Sequence, residues 1–377
     1  MNKMLHVLHV SDRLLIGGKE QMLVDLANRS AGDGYPVSVC IVSPGEDLAV
    51  GLRDGIRIWR LNCVRGGETQ DEKAKSEFAR IVAEGGVSIL QIHGRPALQF
   101  VLASREKHSA PAPIVFHDHY GGIDVDNSVP AWFLDGAARS ISQYVGVCPE
   151  LASWAEQAGI PERRISVIAN AIDMDRLAQV RTCDMRKKLE IPEEVPLGIV
   201  IAGQRPNKGL DILLHAMPRV LPRWSMKVLV VGGVRNEEYA NACREEAHRL
   251  GLDPHVLFLG EQPEAFRLLS DVDFAVHPAR SESGPLVLIE YAASGVPFVA
   301  SLTGDIAHRL SSLGVPEFVP PGDVAALAGA LERLLRLSPE ERRHRGRTGA
   351  EAVRGEFDIR KRMPYWYEVY RRAAGKT

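Results

Sequence analysis

The chain has 377 residues, of which 45% are hydrophobic and 25% charged, and this is the composition of a globular protein large enough for two domains. The formal net charge of −2 excludes a general nucleic-acid-binding protein, because sequence-independent binding to phosphates needs a clear positive excess. The five cysteines form no CxxC pair and have no metal-ligand spacing, so we expect buried free thiols in a reducing cytoplasm rather than disulfides.

The first half of the chain alternates short apolar runs with amphipathic helical patterns, which is typical of βαβ units around a parallel sheet. The opening MNKMLHVLHV has the alternation of a first strand, and it lacks the long apolar segment and the cleavage site of a secretory signal. Six strands are predicted here, at residues 5–10, 37–42, 56–61, 88–92, 114–117 and 144–147. Helices are predicted at residues 19–31, 72–84 and 150–158.

A second series of the same kind begins near residue 197. Five strands are predicted in it, at 198–202, 227–231, 256–259, 274–277 and 298–301, with helices at 209–220, 237–250 and 285–294. The polar, charged segment 175–195 ends in prolines, which is typical of a boundary between domains. We therefore predict two Rossmann-like domains, at 1–178 and 179–357, and a C-terminal helix within 358–377 that packs back on the first domain.

No run in the chain reaches the roughly 18 apolar residues of a membrane span. Residues 331–377 nevertheless carry 13 Lys and Arg against 7 Asp and Glu, a net charge of +6. A basic segment of this kind is most often a solvated helical face, and contact with anionic lipids is the alternative. The sequence thus predicts a cytoplasmic protein, with weak peripheral contact at the inner face of the membrane as a further hypothesis.

The first candidate site is the segment SDRLLIGGKEQMLVDLA, in which Gly17 and Gly18 stand between a strand and a helix. Paired glycines allow a ligand to approach the backbone, and the helix N-terminus behind them offers N–H groups and a partial positive charge. This arrangement favours an anion. An ordinary tight turn between strand and helix is the alternative.

The segment IAGQRPNKGLDILLHAM repeats this arrangement at the start of the second series, with Arg205 and Lys208 in the loop and Gly209 before the helix. An arginine can bind two oxygens through its guanidinium group and a lysine supplies a mobile charge, so the pair predicts a diphosphate site. Two solvated cations are the alternative. The position of the pair at the carboxyl end of a parallel strand, where open α/β sheets bind ligands, favours the diphosphate site.

The third candidate site is HPARSESGPLVLIEYAASG, which places Glu282 in a loop and Glu290 on a helix that Pro285 begins. Apolar residues surround Glu290 on all sides of this helix, so the helix is expected to be buried. A buried, unpaired carboxylate is costly, and Glu290 therefore needs hydrogen-bond donors. Ribose hydroxyls would supply them, as in dinucleotide-binding folds, and a salt bridge to a core Arg or Lys is the alternative.

Three histidines form the fourth candidate site, since His93 in QIHGRP and His117 and His119 in IVFHDHYGG each follow an apolar strand. A histidine in that position could bind a substrate hydroxyl or donate to a developing charge, and a hydrogen-bonded structural role is the alternative. One residue separates His117 from His119 and no third ligand cluster is visible, so no metal site is predicted. The Gly232-Gly233 pair is not part of a GxGxxG motif, which counts against a nicotinamide enzyme.

Taken together, these segments resemble the family 4 glycosyltransferases, which are retaining sugar transferases with the GT-B fold. The strongest element is Glu282 to Glu290, since PARSESGPLVLIEYAASGVPFV resembles the family's E-x7-E motif in its P-x-x-x-E-x-G context. GGKE at 17–20 resembles the family's GGAE, PERRISVIANAID at 161–173 its P-x-R-I-x-V-I-x-N-G-V-D, and VLFLG at 256–260 its F-L-G strand. IVFHDH resembles the acceptor-domain segment in which one histidine ends a strand, and the register favours His119. The resemblance extends over nearly the whole chain.

The resemblance implies a GT-B fold, with two Rossmann-like parallel-sheet domains facing a central cleft, the first on the acceptor side and the second binding a nucleotide-sugar donor. The residues implied to bind the donor are Gly17, Gly18, Arg205, Lys208, Glu282, Ser283, Gly284, Pro285, Leu286 and Glu290. The acceptor-side residues are His93, His117 and His119, and the catalytic set is Glu282, His119, Arg205 and Lys208. Two cations and two helix N-termini would stabilise the leaving diphosphate, so neither a metal nor another cofactor is implied.

The implied activity is retaining transfer of a sugar from a nucleotide-diphosphate sugar, UDP-linked as is usual in the family, to a hydroxyl of a glycan, a lipid-linked acceptor or a small molecule. Front-face attack by the acceptor hydroxyl is the route commonly inferred for such enzymes. A nucleotide-sugar epimerase of the same two-domain shape and a non-catalytic sugar-nucleotide-binding module are the alternatives. A hydride-transferring oxidoreductase is the least favoured class, and no nucleic-acid partner is expected.

The sequence departs from the family pattern in three places. The family's G-R-x-x-x-x-K-G is here GQRPNKG, which is one residue shorter and displaces Arg205. The usual G-G after the VAS strand is replaced by TGDI at 303–306, which changes the loop that contacts the donor in the family. Asn170-Ala171 replaces Asn-Gly.

Overall fold

The computed structural model describes residues 4–64, 68–178, 183–314 and 317–376. The chain forms two compact units, of which unit 1 consists of Met1–Asn170 and Ile359–Thr377 and unit 2 of Ala171–Asp358. This division falls at Asn170, whereas the sequence placed the boundary at residue 178. The C-terminal residues from Ile359 onwards belong to unit 1.

Seven parallel strands form the sheet of unit 1: β1 (Val7–Ser11), β2 (Val37–Ile41), β3 (Arg57–Arg60), β4 (Ile89–His93), β5 (Ile114–Asp118), β6 (Ile141–Gly146) and β7 (Ile165–Val167). They lie in the order β3-β2-β1-β4-β5-β6-β7. The chain therefore runs outward from β1 on one side of the sheet and outward from β4 on the other.

Six parallel strands form the sheet of unit 2: β8 (Leu197–Ile201), β9 (Lys227–Val231), β10 (Val256–Gly260), β11 (Phe274–His277), β12 (Phe298–Ser301) and β13 (Phe318–Val319). Their order is β10-β9-β8-β11-β12-β13. The order thus reverses between β8 and β11, as it does between β1 and β4 in unit 1.

The connections are helical. Unit 1 contains α1 (Gly18–Gly32), α2 (Glu68–Glu84), α3 (Arg95–Lys107), α4 (Ala138–Ser140) and α5 (Pro149–Gln157). Unit 2 contains α6 (Met174–Ala178), α7 (Met185–Lys188), α8 (Leu210–Val220), α9 (Glu237–Arg249), α10 (Leu286–Ala293), α11 (Asp305–Ser312), α12 (Val324–Arg336) and α13 (Pro339–Arg354). The last helix, α14 (Met363–Ala373), belongs to unit 1.

The central strands are buried on both faces, which explains why they read as nearly continuous apolar runs. Every residue of β1, β4, β5 and β11 is buried. Polar residues at such positions are therefore unusual, and in these four strands they are His9 and Ser11 in β1, Gln91 and His93 in β4, His117 and Asp118 in β5, and His277 in β11. Each needs a specific reason to lie in a core.

Helix α14 packs on the sheet of unit 1 through its aromatic side. Trp366 is fully buried, and its ring centroid lies 4.6 Å from that of His117 in β5. The Tyr370 hydroxyl, also buried, donates a hydrogen bond to Gln91 Oε1 in β4. The C-terminal segment thus covers polar residues in the middle of the sheet.

All eleven strands that the sequence predicts are present, and each begins and ends within three residues of its predicted bounds. The sequence does not predict β7 or β13, which have three and two residues and so carry almost no periodic pattern. The prediction that His93 and His117 follow their strands is wrong, because β4 ends at His93 and β5 continues to Asp118.

None of the five cysteines, all of which lie in the described ranges, forms a disulfide. Four of them are buried, and Cys183 is partly exposed. Within the described ranges, no helix has both the length and the apolar character that a bilayer crossing requires.

Candidate functional site

The predicted site residues of unit 2 lie where the order of its strands reverses. Open α/β sheets bind ligands outside the carboxyl ends of the strands at such a reversal. The segments that leave β8 and β11 at this point are residues 202–209 and 278–285, which contain Arg205, Lys208 and Glu282. The topology therefore brings these residues to the same edge of one sheet.

Glu282 is the centre of a buried hydrogen-bonded group. It is 5% exposed, and its Oε1 accepts hydrogen bonds from Lys208 Nζ and from His277 Nε2, the latter at 3.0 Å. His277 is the last residue of β11, and Lys208 ends a 3-10 helix that follows β8. The end of β11 and the loops that follow β8 and β11 thus bring an ammonium group, a carboxylate and an imidazole into one hydrogen-bonded group.

The charges of this group are set by burial and by its partners. Burial alone would raise the pKa of Glu282, but the charge of Lys208 and the hydrogen bond from His277 outweigh it and lower the pKa to about 2. Burial lowers the pKa of Lys208, and Glu282 partly offsets this effect. Glu282 is therefore an ionised acceptor at neutral pH, suited to hydroxyl groups, beside a cation suited to phosphate.

Hydrogen bonds tie the two loops to each other. The side-chain amide of Asn207 donates to the Ser281 carbonyl at 3.3 Å, and the Arg280 backbone N–H donates to the Asn207 carbonyl at 2.8 Å. The Arg280 guanidinium also binds Asp211 in the first turn of α8, with 2.8 Å between Nη1 and Oδ1. The position of Lys208 relative to Glu282 is therefore fixed by the backbone as well as by the ion pair.

Gly209 is required by the close approach of these loops. It has a φ of +67°, and a Cβ at this position would lie 2.0 Å from the Pro278 carbonyl oxygen. We expect Gly209→Ala to lower the free energy of unfolding of unit 2 by more than the roughly 1–3 kcal/mol of backbone strain alone. Gly251→Ala is the matched control, because Gly251 has a φ of +68° and open space around it. Equal losses for the two variants in urea unfolding would show that the approach of the loops is unimportant.

The backbone on the other side of Glu282 is held by the segment after β12. The Glu282 N–H donates to Thr303 Oγ1 at 3.2 Å, and the Asp305 N–H donates to the Ser283 carbonyl at 3.0 Å. A Cβ on Gly304, which has a φ of +78°, would lie 2.9 Å from the Glu282 carbonyl oxygen. The TGDI segment therefore positions Glu282 directly.

The remaining residues of the motif lead into α10. Ser283 is buried, Gly284 is partly exposed, Pro285 is the N-cap, and Leu286 is the first helical residue. A helix N-terminus offers backbone N–H groups and a partial positive charge to a phosphate or a hydroxyl oxygen. The predicted backbone contacts to a ligand are thus compatible with this arrangement.

Glu290 is paired within unit 2. Its side chain is 13% exposed, and Oε1 accepts a hydrogen bond from Arg176 Nη2 on α6 at 2.9 Å. The guanidinium carbon of Arg176 lies 4.5 Å from the ring centroid of Phe266. This is the ion pair that the sequence offered as the alternative to ribose binding, and the ribose-binding role of Glu290 stays a prediction.

Arg205 lies on the same loop as Lys208 but is exposed. Its charge lowers the pKa of Lys208, in addition to the larger effect of burial. Over the residues described here, Arg205 has no salt-bridge partner. A ligand with two negative charges would therefore meet two cations on this loop. Lys208 is already paired with Glu282, and Arg205 is available for a salt bridge with the ligand.

In unit 1, Gly17 is the N-cap of α1 and Gly18 its first residue. The sequence predicts that an anion binds at this turn, but the Glu20 carboxylate lies against it. A Cβ on Gly17 would be 2.6 Å from Glu20 Oε2. Glu20 also forms an ion pair with Lys19, with 3.0 Å between Oε1 and Nζ. The same Nζ lies 3.4 Å from Ser11 Oγ. An acidic residue in the first turn stabilises the helix, so Glu20 satisfies part of the positive end that the sequence assigned to a ligand.

Four histidines of unit 1 lie together: His9 from β1, His93 from β4, His117 from β5, and His119 just after β5. The ring centroid of His93 lies 5.3 Å from that of His9 and 5.3 Å from that of His117. It lies 5.9 Å from the ring centroid of His119. The ring centroids of His117 and His119 are 3.8 Å apart. Burial lowers the pKa of His9 and His119 to about 3, and those of His93 and His117 well below the ordinary value. The four imidazoles are therefore neutral at physiological pH.

We expect this cluster to make unit 1 sensitive to acid. The histidine pKa is 6.5 in the unfolded chain and lower in the folded one, so below pH 6.5 the unfolded state binds more protons and stability falls as pH falls towards 3. Each histidine should contribute about 1.4 kcal/mol per pH unit. Urea unfolding of metal-free protein between pH 7.5 and 5 can be followed by fluorescence, since unit 1 contains four of the five tryptophans.

The matched variants for this prediction are His117→Asn in the cluster and His308→Asn on the surface of unit 2. The first should reduce the slope of the free energy of unfolding against pH by about 1.4 kcal/mol per pH unit, and the second should leave it unchanged. A slope that is the same in both variants and in the parent protein would contradict this account.

Several residues of the site are not singled out by the sequence analysis. His277 has the sequence pattern that singles out His93 and His117, since it is a histidine at the end of an apolar strand. Thr303 is likewise a polar residue shortly after an apolar strand. Arg176 and His9 give no signal of their own, since each acquires its role from a partner far along the chain. The structure also supplies a third histidine beside His117 and His119, because the parallel register pairs His117 with His93.

Two family models match the chain. The model described as Glycosyltransferase Family 4 matches residues 16–176, and the model described as Glycosyl transferases group 1 matches residues 196–337. The two matches lie on either side of the polar segment 177–195 and together include every site residue that the sequence predicts, while His9 lies outside them.

Curated relatives match over part of their length. The phosphatidyl-myo-inositol mannosyltransferase of Mycobacterium leprae is 37% identical over 152 residues, which are 40% of this chain and 39% of the relative. The N-acetyl-alpha-D-glucosaminyl L-malate synthase of Bacillus anthracis is 26% identical over 218 residues, 56% of this chain and 54% of the relative. The chain therefore spans between 39% and 54% of the length of these two relatives.

Solved structures match over nearly the whole chain. HepE of Anabaena, in complex with UDP and glucose, has a TM-score of 0.79 at 18% identity, with 97% of this chain and 98% of HepE covered. Sucrose-phosphate synthase of Thermosynechococcus elongatus also has a TM-score of 0.79 at 18% identity, with 99% and 100% covered. At these identities the likeness shows the fold alone, and the predicted fold class, two Rossmann-like parallel-sheet units of the GT-B type, is confirmed.

Proposed function

The chain belongs to the family 4 glycosyltransferases, and on that premise we propose that it transfers a sugar from a nucleotide-diphosphate sugar to a hydroxyl group of an acceptor, with retention of the anomeric configuration. The proposed donor is a UDP-linked hexose. Its support is the fold shared with HepE, which was solved with UDP and glucose.

The observation that carries this proposal is the ion pair of partly buried Lys208 with buried Glu282 at the point where the strand order of unit 2 reverses. Sugar transfer from such a donor needs a cation at the diphosphate and a hydrogen-bond acceptor at the sugar hydroxyls. Lys208 and Glu282 are these two groups, and His277 fixes the orientation of the carboxylate. Two loops that are hydrogen-bonded to each other present them in one place.

In the proposed mechanism, negative charge develops on the leaving nucleoside diphosphate as the bond to the sugar breaks. Lys208 and Arg205 stabilise this charge, and the backbone from Ser283 to Leu286 contributes the N-terminus of α10. Glu282 binds sugar hydroxyls and so holds the sugar in position for attack from the face that the leaving group vacates. Charge neutralisation by two side-chain cations is the reason that we propose no added Mg²⁺ or Mn²⁺ for this step.

The remaining assignments follow the family resemblance. When the donor binds, Glu290 releases Arg176 and binds the ribose hydroxyls of the donor. Gly17 and Gly18 approach the phosphates, and His119 contacts the reacting sugar, with His93 and His117 on the acceptor side. The carboxylate of Glu20 at the start of α1 means that the contact from Gly17 and Gly18 requires movement of that side chain.

The acceptor is proposed to be a glycan, a lipid-linked sugar or a small polyol. The names of two relatives specify inositol-containing acceptors, phosphatidyl-myo-inositol and D-inositol 3-phosphate. The basic segment 331–377, with its net charge of +6, supports weak contact with anionic lipid, which would bring the enzyme to a lipid-linked acceptor. Failure to bind anionic liposomes at low salt would remove the membrane part of the proposal.

The test is a screen of nucleotide sugars by thermal shift, followed by a transfer assay with the donor that binds. A donor at a hundred times its dissociation constant should stabilise the protein by about 2.7 kcal/mol. Sugar should then appear on an inositol or glycan acceptor, and NMR of the product should show the anomeric configuration of the donor. A product with inverted configuration would overturn the proposed mechanism.

The same assay separates the two alternatives. An epimerase would change the sugar or release UDP without any acceptor, whereas a transferase releases UDP in step with acceptor consumption. A binding module would be stabilised by the donor and would produce nothing with any acceptor. Binding of NADH in the same thermal-shift screen would revive the oxidoreductase class.

A further inference from the structure

The histidine cluster of unit 1 has the geometry of a metal site. His93, His117 and His119 each place one ring nitrogen so that the three atoms lie within 4.8 Å of one another. The residues come from adjacent parallel strands, with His93 opposite His117 in the register and His119 two positions further on. Imidazole nitrogens at such a spacing are the ligand set of Zn²⁺ and of related transition metals.

A second observation points to a ligand at the same place. Among the described residues, neither ring nitrogen of His117 has a hydrogen-bond partner, and His93 Nδ1 also has none. Both side chains are completely buried. Buried polar atoms are nearly always hydrogen-bonded in folded proteins, and leaving them unsatisfied is costly, so several such atoms in one cluster indicate a missing ligand rather than chance.

The surroundings of the cluster would orient the ligands. His93 Nε2 lies 3.0 Å from His9 Nδ1. When His93 donates from Nε2 to His9, its lone pair is on Nδ1, the atom without a partner. Metal-binding histidines commonly donate their second ring nitrogen to such a neighbour, which fixes the tautomer and the ring orientation. Trp366 closes the cluster on the side of α14, with its ring 4.6 Å from that of His117.

One charged side chain acts on the cluster. Lys19 lowers the pKa of His93 and His119, after the larger effect of burial, and so disfavours added positive charge there, while its own ion pair with Glu20 at 3.0 Å holds a compensating carboxylate beside it. His119 is partly exposed, which provides a route of entry from solvent. Binding requires small side-chain rotations, because Zn²⁺ takes its nitrogen ligands at about 2.0–2.1 Å.

We infer that His93, His117 and His119 form a binding site for one transition-metal ion of the Zn²⁺ class, with His9 as the residue that positions His93. Three protein ligands leave a fourth coordination position for water or for an oxygen of a bound molecule. The site should prefer Zn²⁺ and Co²⁺ over Mg²⁺, which takes oxygen ligands. The inference concerns metal binding and does not rest on the transfer activity proposed above.

The experiment uses full-length protein that has been treated with a chelator and then freed of it. Calorimetric titration with Zn²⁺ should give one ion bound per chain, and Mg²⁺ should give no heat of binding. Co²⁺ should produce the visible absorption bands of a tetrahedral nitrogen site. Since each readout follows the metal itself, a negative result here leaves the proposed transfer untouched, and a failed transfer assay leaves the metal site untouched.

Graded variants distinguish the proposed site from adventitious binding. His117→Asn removes a ligand and should weaken Zn²⁺ binding by more than the tenfold to about hundredfold loss expected for His9→Asn, which removes only a neighbour of a ligand. His308→Asn, on the surface, and Cys183→Ser, the one thiol that is not buried, should leave the affinity unchanged. Circular dichroism establishes that each variant is folded, and His119→Asn replaces His117→Asn if the latter does not fold.

Two outcomes would overturn the inference. One is a parent protein that binds no Zn²⁺ in the titration. The other is Zn²⁺ binding that keeps its affinity when His117 or His119 is replaced, or that is lost in Cys183→Ser, since either result would locate the ion elsewhere.

Discussion

Replacing Lys208 by alanine is expected to lower kcat/KM for sugar transfer by about a hundredfold to a thousandfold, the loss typical for removal of one group that stabilises transition-state charge. Lys208 is the partly buried cation at the carboxyl ends of β8 and β11, and the proposed leaving group is a diphosphate. The effect should appear in kcat more than in KM, because the charge on the diphosphate grows as the bond to the sugar breaks.

Lys208→Ala alone would also leave Glu282 as a buried charge without its cation. Loss of one partner of a buried pair costs about 3–5 kcal/mol of stability, which could imitate a catalytic effect by unfolding unit 2. The double variant Lys208→Ala/Glu282→Gln separates the two effects, since it removes both charges. It should recover most of the stability and none of the activity.

The control for this experiment is Lys227→Ala, which makes the same substitution at the first residue of β9, where the ammonium group donates a hydrogen bond to the Pro254 carbonyl. It should retain the kcat/KM of the parent protein. A double variant that is stable and as active as the parent would show that neither Lys208 nor Glu282 takes part in the reaction.

Glu290→Ala is expected to weaken binding of the nucleoside diphosphate by about tenfold to a hundredfold, which corresponds to the loss of hydrogen bonds to a charged group. In the structure Glu290 is bound to Arg176, and in the proposed complex it binds the ribose hydroxyls. Arg176→Ala removes the competing partner and leaves the carboxylate in place. It should therefore keep or improve nucleotide affinity while lowering the stability of unit 2.

Calorimetric titration of the nucleoside diphosphate into each variant distinguishes this exchange from a purely structural ion pair. If Glu290 served only to hold Arg176, both variants would lose stability alike and both would bind nucleotide as the parent does. That outcome would refute the ribose-binding role. Glu246→Ala, which breaks an exposed Glu–Arg pair with Arg249 within α9, is the control and should leave nucleotide affinity unchanged.

The fold could be predicted because its central strands are buried on both faces and therefore read as apolar runs. The eleven longer strands were recognisable from residues 5–10 to 298–301, including the partly exposed strands β3 and β10 at the sheet edges. The two-residue strand β13 was not, because its pairing with β12 is decided by the preceding chain rather than by its own composition. Helix α3, RPALQFVLASREK, was likewise not assigned, although its buried positions have helical spacing.

The site was only partly predictable, since its members are distant in sequence. Lys208 and Glu282 each belong to a local motif, but they are 74 positions apart in the chain and neither motif indicates that they form a pair. The sequence predicts a buried helix around Glu290 and a loop around Glu282. In the structure the Glu282 side chain is the more buried of the two, because the strand order of unit 2 brings three loops around it. Arg176 lies 114 residues from Glu290, and only the position of α6 beside α10 joins them.

The histidines illustrate the same limit. A spacing of one residue between His117 and His119 argued against a metal site, since no third ligand stood near them in the sequence. Parallel pairing of β4 with β5 adds His93, and pairing of β1 with β4 adds His9. A set of four imidazoles thus arises from three strands, and no local pattern contains it.

The hydrogen bonds of Asn207 and the close approach of Gly209 to Pro278 also bear on how this chain can change in length during evolution. An extra residue between β8 and α8 would move Lys208 away from Glu282 unless the segment after β11 changed with it. Outward turns such as that at Gly159, where an added Cβ would meet open space, can lengthen without such compensation. Homologues with insertions should therefore carry them at turns of the second kind, while the two loops at the reversal of strand order vary in length together.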